Sequence, residues 1–303
     1  MIVLFYGEGR LGNQVFQYLA LGHLAGARGR ILAVGLEDLG ASLDILGAPV
    51  TVLTRQPWLK RAIKYLLVPL LLRPIARYLR LLSYATEASD ARAGNRPAGG
   101  ELIVRRGLVT AIAFVDGGYY QCASYLSAPL PVTTLRVPAA LQAGARASLS
   151  EAASNSPPAT RAFVHVRRGD FLTFSAFGQN DMALPEEFYR RAIVELAERF
   201  GPLHLIFVTD DPAWVQRRFA DLPGISIVSS SAAADLALMA ECRAGIISNS
   251  TFALAAAILG QAWLLIAPRY WLGFRAATWL PPGVKIDDPR LLYIDVPSTG
   301  DPR

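Results

Sequence analysis

The sequence predicts an α/β fold with two Rossmann-type domains that face a cleft, one over residues 1–155 and one over residues 156–303. Its 303 residues suffice for about two domains. A hydrophobic content of 52% with 18% charged residues supports sizeable cores and excludes a disordered chain. In both halves short apolar strands alternate with helices, which indicates βαβ units and parallel sheets.

The first half begins with an apolar strand, Met1 to Tyr6, which is too short for a signal peptide or a membrane span. Pro69 and Pro74 are expected to break a later leucine-rich stretch into two short helices. The other elements expected here are a helix from about Asn13 to Ala27, a strand from Arg30 to Gly35, a polar loop from Thr86 to Gly100, a strand end and turn with exposed aromatic residues from Asp116 to Gln121, a helix from Pro138 to Ser150 and an interdomain linker from Ser154 to Pro158.

The second half has the more regular alternation of strands and helices. Its expected strands are Phe163 to Val166, Leu203 to Val208, Ile225 to Val228, Gly245 to Ile247 and Trp263 to Ile266. Its expected helices are Pro185 to Phe200, Pro212 to Ala220, Ala233 to Arg243 and Thr251 to Leu259.

Arg167 and Arg168 come directly after the first of these strands and are followed by Gly169 and Asp170. Ligands bind at the carboxyl ends of the strands in open α/β sheets. Two guanidinium groups at that edge can hold a diphosphate through bidentate hydrogen bonds. A structural ion pair between Arg and Asp would use the same residues, so these residues alone leave both interpretations open.

Two further strand ends carry polar groups towards the same edge of the predicted sheet. These are the segments from Thr209 to Pro212 and from Ser248 to Thr251. Asp211 and Ser250 are also typical helix N-caps, so each alone has an ordinary structural explanation. Their convergence with the arginine pair is what indicates a binding site.

The segment from Gly7 to Gly12 contains the pattern G-x-G-x-x-G between a strand and a helix, and Glu37 and Asp38 follow the next strand. This arrangement is typical of NAD(P)- or FAD-linked oxidoreductases, which are an alternative from another class. Asn13 and Gln14 argue against it, because dinucleotide-binding folds usually have small apolar residues there. The glycines still indicate close approach of the backbone to a ligand, such as an anion at the helix N-terminus.

The stretch from Pro57 to Tyr84 contains six basic residues and no acidic residue, while the whole chain has 30 Lys and Arg against 24 Asp and Glu. Leucines surround these charges, which suits peripheral contact with an anionic membrane. A helical hairpin packed on its own domain is the alternative. Nucleic-acid binding is not expected, because no nucleic-acid motif accompanies the charge.

Cys122 and Cys242 lack disulfide or metal spacing, which indicates a reducing compartment. Together with the basic stretch, this predicts a cytoplasmic protein at the cytoplasmic face of a membrane.

Several motifs resemble those of glycosyltransferase family 11, the α-1,2-fucosyltransferases. Gly9 to Tyr18 resembles the family's opening motif, and Gly118 to Gln121 resembles its aromatic–glutamine motif. His165 to Asp170 resembles the HxRRxD box that is shared with core and protein O-fucosyltransferases. Later blocks follow in the same order at Thr209 to Asp211 with Trp214, Asp235 to Cys242, Ser248 to Phe252 and Ala267 to Trp271.

The resemblance implies a GT-B fold and inverting, metal-independent transfer of L-fucose from GDP-fucose, with no cofactor. The implied acceptor is a galactoside in an oligosaccharide or a lipid-linked glycan of the cell surface. Arg167 resembles the arginine that holds the β-phosphate of the donor, and Arg168 its supporting neighbour. The other implied donor contacts are His165 and Asp235 for guanine, Ser250 and Thr251 for the phosphates, and Asn13 and Gln14 from the opposite domain.

A base must take the proton of the acceptor hydroxyl. Asp170 and Glu8 are the carboxylates nearest the two motif loops, and Asp170 is favoured, with pairing to Arg168 or fixing of the loop as its alternative roles. Ala253 to Leu259 departs from the bulky aromatic residues with which the family often continues its last block. This departure leaves open a glycosyltransferase of the same fold with another linkage or another nucleotide sugar.

Overall fold

The computed structural model describes residues 1–90, 96–127, 130–153, 160–175 and 178–297. The chain divides into two units, each built on a six-stranded sheet. Unit 1 comprises Met1–Arg136 and Pro281–Val284, and unit 2 comprises Val137–Leu280 and Lys285–Arg303. No helix in the described part of the chain is long and apolar enough to cross a membrane.

In unit 1 the strand order is β4-β2-β1-β7-β5-β6, and every pair is parallel except β5 with β6. The strands are β1 (Ile2–Tyr6), β2 (Arg30–Val34), β3 (Asp44–Ile45), β4 (Val50–Val52), β5 (Leu82–Asp90), β6 (Arg96–Arg105), β7 (Val109–Val115) and β8 (Leu135–Arg136), of which β3 and β8 form a separate small sheet. The helices are α1 (Leu11–Ala25), α2 (Glu37–Ser42), α3 (Pro57–Ala62), α4 (Ala123–Leu126) and α5 (Leu130–Thr134).

In unit 2 the strand order is β11-β10-β9-β12-β13-β14, and all pairs are parallel. The strands are β9 (Thr160–Val166), β10 (Leu203–Thr209), β11 (Ile225–Val228), β12 (Ala244–Ile246), β13 (Leu264–Pro268) and β14 (Leu291–Ile294). The helices are α6 (Ala139–Ala153), α7 (Glu186–Phe200), α8 (Pro212–Arg218), α9 (Ala232–Glu241) and α10 (Thr251–Leu259). All nine expected strands and helices of this half are present, and β14, which had not been predicted, extends the sheet.

The helical stretch after α3 is continuous, so the predicted breaks at Pro69 and Pro74 are wrong. Ile63–Leu72 and Pro74–Tyr78 form wide π-helical turns that continue α3. In these turns an amide bonds to the carbonyl five residues earlier, as Arg73 does to Val68 and Leu79 does to Pro74. Because the wide turn does not use the usual bond to the fourth preceding carbonyl, a proline disturbs it less than it disturbs an α-helix.

The predicted polar loop from Thr86 to Gly100 is also wrong for its described residues. They belong to β5 and β6, which pair antiparallel on the edge of the sheet, whereas residues 91–95 lie outside the described part. Pairing of neighbouring strands therefore overrode the loop-forming composition. In the turn after β7, Tyr119 is exposed as expected, but Tyr120 is fully buried and donates its hydroxyl hydrogen to the carbonyl oxygen of Asp116 at 2.6 Å.

The boundary between the units lies at Arg136 and Val137, whereas the sequence placed it at 155/156. The difference comes from α6, which packs on α9 of unit 2. An ion pair joins these helices, with 2.8 Å between Arg146 Nε and Glu241 Oε2. The expected linker from Ser154 to Pro158 falls outside the described residues.

Candidate active site at the carboxyl edge of the second sheet

The sheet of unit 2 brings the polar strand ends to one edge, as the sequence predicted. In the parallel ladder Val166 pairs with Thr209, so Arg167 and Asp210 leave neighbouring strands at the same level. β12 lies on the other side of β9, and its continuation carries Ser248 to the same edge. The core beneath is apolar, with the inner residues of β9 fully buried.

Arg167 is held by two carboxylates. Its Nη2 lies 2.7 Å from Asp170 Oδ1 and its Nη1 lies 2.8 Å from Asp210 Oδ2. The Arg167 side chain is only 18% exposed, whereas that of Asp170 is 54% exposed. An ion pair between Arg and Asp, the alternative from the sequence, is therefore formed, but the partner of Asp170 is Arg167 and not Arg168. The outer member of the pair, Asp170, is accessible to solvent.

Arg168 is fixed by three contacts. Its guanidinium carbon lies 4.2 Å from the centroid of the Trp214 ring, a cation–π distance. Its Nε is 3.4 Å from Asp211 Oδ2, and its backbone amide donates to Asp210 Oδ1 at 2.9 Å. Asp211 also accepts from the Trp214 amide as N-cap of α8. Sequence motifs had marked Trp214 without its role, because its contact with Arg168 depends on the docking of α8.

The charges at this edge do not balance. Two guanidinium groups face three carboxylates, those of Asp170, Asp210 and Asp211. Asp210 and Asp211 also accept hydrogen bonds from backbone amides, which hold them in place. An incoming anion can therefore reach Arg167 most readily by displacing Asp170, the exposed partner.

His165 is buried in β9, directly behind the arginine pair. Its Nδ1 is 2.7 Å from Ser248 Oγ, and its ring packs 5.7 Å from that of Phe252. Burial, with a smaller effect of the Arg167 charge, lowers the pKa of His165 to about 3. His165 is therefore neutral near pH 7, with one ring nitrogen available as an acceptor and one as a donor.

This burial predicts acid sensitivity. Below a pH of about 6.5 the unfolded chain protonates His165 while the folded protein does not, so its contribution to stability is complete above that pH and is lost as the pH falls towards 3. Between pH 7 and 5 we expect the free energy of unfolding of the wild type to fall by about 2 kcal/mol more than that of His165→Gln. Chemical denaturation at the two pH values measures this difference, with the exposed His23→Gln as control. An equal acid loss in wild type and His165→Gln would contradict the assignment.

Asp235 lies in the first turn of α9, which follows the carboxyl end of β11. Its carboxylate accepts from the amide of Ser230 at 3.2 Å and from the Ser230 hydroxyl at 2.6 Å. Asp235 and His165, which the family resemblance pairs as readers of guanine, thus have separate hydrogen-bond partners in this structure. Both side chains are nevertheless largely buried.

Ser250 is the N-cap of α10, where its Oγ accepts from the Phe252 amide at 3.3 Å. Thr251 is the first residue of that helix and is partly exposed. Six of the nine residues of α10 are buried, and the helix packs against α9. The small residues from Ala253 onwards therefore have a packing role, which accounts for the absence of bulky aromatic side chains there.

In unit 1 the glycine loop is fixed by Gln14. Its Nε2 donates to the carbonyl oxygen of Gly9 at 3.0 Å and to Asp38 at 3.1 Å, and its Oε1 accepts from the Leu39 amide. The Gln14 side chain is buried, and its amide is engaged by these contacts within unit 1. Asn13 is partly exposed, and its Oδ1 lies 3.5 Å from Gln121 Nε2.

The same contacts bear on the dinucleotide alternative. Asp38 is engaged by Gln14, and Glu37 is engaged by Lys60 at 2.6 Å. Neither of the acids expected to bind a ribose is therefore available without breaking an internal contact. The glycine pattern here serves a tight backbone turn, with Gly9 at a φ of 109°.

Unit 1 also contains a pocket of about 490 Å³, which sequence reasoning did not foresee. It lies at the carboxyl ends of β1 and β7 and against the π-helical segment. Two ion pairs line it, Lys64 with Glu8, and Arg73 with Asp116 at 2.6 Å. Its further lining residues are Tyr6, Gln17, Tyr65, Val68, Pro69, Gly117, Gly118 and Tyr119. The sequence did contain one indication of this pocket. A helical segment with many basic and no acidic residues is expected to form ion pairs with acidic residues elsewhere in the unit, and two such pairs line the pocket.

Comparison with known proteins agrees with this architecture. Two solved structures of the fucosyltransferase NodZ, one from Bradyrhizobium and one co-crystallised with GDP, each show a TM-score of 0.50 at 15% identity, over 86% of this chain and 92% of theirs. At this identity the likeness concerns the fold alone, and it confirms the predicted GT-B-like class.

Two sequence comparisons concern the family. Residues 133–271 match the model of Glycosyl transferase family 11. A region of 114 residues is 32% identical to the O-antigen biosynthesis glycosyltransferase WbnK of Escherichia coli, and it covers 36% of this chain and 38% of that relative. The match thus spans less than half of the relative's length. These two matches show that part of this chain is similar to glycosyltransferase family 11 and to a glycosyltransferase of O-antigen biosynthesis.

Proposed function

We propose that this protein transfers L-fucose from GDP-fucose to a sugar hydroxyl, with inversion at the anomeric carbon. The observation that carries the proposal is the pair Arg167 and Arg168 at the carboxyl edge of the central strand, with an exposed carboxylate as the exchangeable partner of Arg167. The family match and the GDP present with NodZ support this nucleotide sugar.

In the proposed reaction the bond between the fucose anomeric carbon and the β-phosphate oxygen breaks, and GDP leaves with the bonding electrons. Arg167 meets the charge that develops on the diphosphate, since a fixed guanidinium stabilises it more strongly in the transition state than in the ground state. Arg168 is a positioning residue, because Trp214 and Asp211 hold its guanidinium. Ser250 and Thr251 add the N-terminus of α10 as a further phosphate contact.

Asp170 completes the mechanism. When the diphosphate takes its place on Arg167, the Asp170 carboxylate is released and accepts the proton of the attacking hydroxyl. The acceptor oxygen then bonds to the anomeric carbon. In this mechanism donor binding also frees the base, because the diphosphate replaces Asp170 as the partner of Arg167. For the guanine, His165 and Asp235 remain the proposed contacts, and Asn13 is the proposed contact from unit 1.

We place the acceptor sugar in the pocket of unit 1. Tyr6, Tyr65 and Tyr119 offer ring faces and hydroxyl groups, and Gln17 Oε1 is a buried acceptor without a partner in the described part of the chain. Such a lining suits a sugar, which has apolar faces and many hydroxyls. The proposed product is an α-1,2-linked fucosyl galactoside in an oligosaccharide or lipid-linked glycan, in keeping with the O-antigen biosynthesis of the relative.

The alternative is a glycosyltransferase of the same fold that uses another nucleotide sugar. Thermal unfolding with GDP, UDP or NAD tests the choice, because a ligand at a hundred times its dissociation constant stabilises the folded state by about 2.7 kcal/mol. We expect GDP alone to raise the melting temperature by several degrees. Stabilisation by UDP would favour the alternative donor, and stabilisation by NAD would favour an oxidoreductase. Product analysis with GDP-fucose and galactosides then tests the linkage.

Metal independence is part of the proposal. The leaving diphosphate is met by guanidinium groups and helix amides, and the sequence has no Asp-x-Asp cluster before the donor site. We expect the initial rate of fucosyl transfer to remain within about twofold of its value after incubation with excess EDTA. Loss of activity in EDTA and its recovery on addition of Mn²⁺ or Mg²⁺ would contradict this expectation.

A further inference from the structure

The stretch of residues 57–81, which is helical as far as Tyr78, exposes an unusual amount of apolar side chain. Large hydrophobic residues that face solvent one at a time are ordinary, but a group of them on one segment indicates an interaction surface. Six side chains of this stretch that are 58–71% exposed form what we name the apolar surface: Trp58, Tyr65, Leu66, Leu70, Tyr78 and Leu79.

The opposite side of the same stretch is packed normally. Val68 and Ala76 are buried against Tyr84 and Phe114 of the unit 1 sheet, and Ile63 lies partly buried beside them. The segment therefore already has its core-facing side, and the exposed residues are not a displaced part of the core. The sequence also allowed a helical element packed on its own domain. That alternative accounts for the buried inner side but not for the exposed apolar residues.

The charges of the stretch also divide into two sets. Lys60, Lys64 and Arg73 form ion pairs with acidic residues of unit 1. Arg61, Arg77 and Arg80 are exposed, and residues 57–84 contain no Asp or Glu that could pair with them. The exposed charges that this stretch itself contributes beside the apolar surface are therefore all positive.

We propose that the apolar surface, with Arg61, Arg77 and Arg80, docks unit 1 on a lipid bilayer that carries anionic headgroups. Inserted apolar side chains and basic residues near the headgroups are the two contributions that bind peripheral proteins to such bilayers. Charge complementarity favours this partner. The headgroups of an anionic bilayer provide negative charge for the arginines, and the hydrocarbon below them accommodates the apolar side chains. Lys64, Tyr65, Val68 and Arg73 of the same stretch line the unit 1 pocket. If the proposed function holds, the docked protein would present this pocket near membrane-borne acceptors.

Co-sedimentation of the full chain with vesicles tests the docking without reference to activity. Vesicles of phosphatidylcholine with 30% phosphatidylglycerol should bind the protein, pure phosphatidylcholine should bind it much less, and added salt should weaken the binding without abolishing it. We expect Arg61→Gln/Arg77→Gln/Arg80→Gln to lower the vesicle partition coefficient by more than about tenfold. We expect Leu66→Ser/Leu70→Ser/Leu79→Ser to lower it at least as much.

The matched control removes three exposed arginines elsewhere, as Arg28→Gln/Arg191→Gln/Arg217→Gln. This variant should bind vesicles about as well as the wild type. Equal loss in the control would show that net charge alone drives binding, and unchanged binding in both surface variants would exclude the apolar surface. Either result overturns the proposal. Since docking and catalysis are measured separately, failure of one leaves the other standing.

Trp58 supplies a second readout on the same surface. Brominated phospholipids quench tryptophan fluorescence only at close range, so anionic vesicles that contain them should quench the wild type more than Trp58→Phe. Equal quenching of the two would overturn the proposal. Light scattering over a range of protein concentrations tests a second copy of the chain as the occupant. A dimer that the three serine substitutions dissociate would assign the surface to self-association and would also overturn membrane docking.

Discussion

Replacing Arg167 with alanine should lower kcat/KM for fucosyl transfer by about a thousandfold, or about 4 kcal/mol of transition-state stabilisation. The reason is that the Arg167 guanidinium is largely buried and meets charge that develops mainly in the transition state. Arg167→Lys should recover little, because an ammonium group lacks the planar fork that binds two oxygens at once. Steady-state kinetics with GDP-fucose, fitted for donor and acceptor, measures both variants.

The alanine variant also leaves Asp170 and Asp210 without their cation, and their repulsion of the donor could contribute to the loss. The double variant Arg167→Ala/Asp210→Asn removes one of these charges and keeps Asp170, the proposed base. If the guanidinium holds the phosphate, the double variant stays as impaired as the single one. If the double variant instead recovers activity, the role of Arg167 is to neutralise a carboxylate and not to bind the phosphate. Arg191→Ala, an exposed position on α7, is the control for loss of an arginine.

Asp170→Asn should lower kcat by about a hundredfold to ten-thousandfold, the usual range for loss of general base catalysis. The KM for the donor should stay unchanged or fall, because the amide no longer competes with the diphosphate for Arg167. A base role further requires that the acidic limb of the pH–rate profile disappear. A structural partner of Arg167 would show the opposite pattern, with kcat preserved and donor binding altered.

Glu8→Gln is the matched comparison, since Glu8 is the other carboxylate considered from the sequence. It is about half exposed, pairs with Lys64 and lines the unit 1 pocket. We expect a change mainly in the KM for the acceptor. If instead Glu8→Gln lowers kcat and Asp170→Asn does not, the base belongs to unit 1 and the partner exchange at Arg167 serves donor binding alone.

Unit 2 could be predicted from the sequence because its elements are short, regular and separated by clear signals. Apolar runs such as Leu203–Thr209 fit buried parallel strands, and capping residues such as Asp211 mark helix starts. The edge strand β14 was missed, since Leu291–Ile294 is four residues long and pairs with a strand more than twenty residues earlier. Only the exposed edge left by β13 explains why it forms.

Unit 1 was harder to predict because tertiary contacts decide its local structure. Pro69 reads as a break, yet the segment around it stays helical, since Val68 and Ala76 are buried against the sheet. The composition of residues 86–100 reads as a loop, yet β5 and β6 pair as strands. In both cases burial and pairing outweigh propensities that favour other conformations by only about 1 to 3 kcal/mol.

At the candidate site the sequence indicated which residues meet but not how they are paired. Because parallel strands end at the same edge of a sheet, Arg167, Asp210 and Ser248 were expected to meet there. That Arg167 pairs with Asp170, whereas Arg168 lies on Trp214, depends on rotamers and on the docking of α8. The buried amide of Gln14 is a similar case, since its three partners come from the glycine loop and from α2.

In the pairing of Arg167 with Asp170, a carboxylate of the protein occupies the guanidinium that the proposed donor would bind. Asp170 is tethered three residues away, so its carboxylate faces the guanidinium at an effective concentration that a free small anion in the cell does not reach. Inorganic phosphate or sulfate would therefore have to compete with the Asp170 carboxylate for Arg167, and such a small anion has no base or sugar to make further contacts. Under the proposed function, a nucleotide diphosphate would displace that ligand with the help of contacts to its base and sugar. The pairing of Arg167 with Asp170 would thus favour the whole donor over its phosphate fragment.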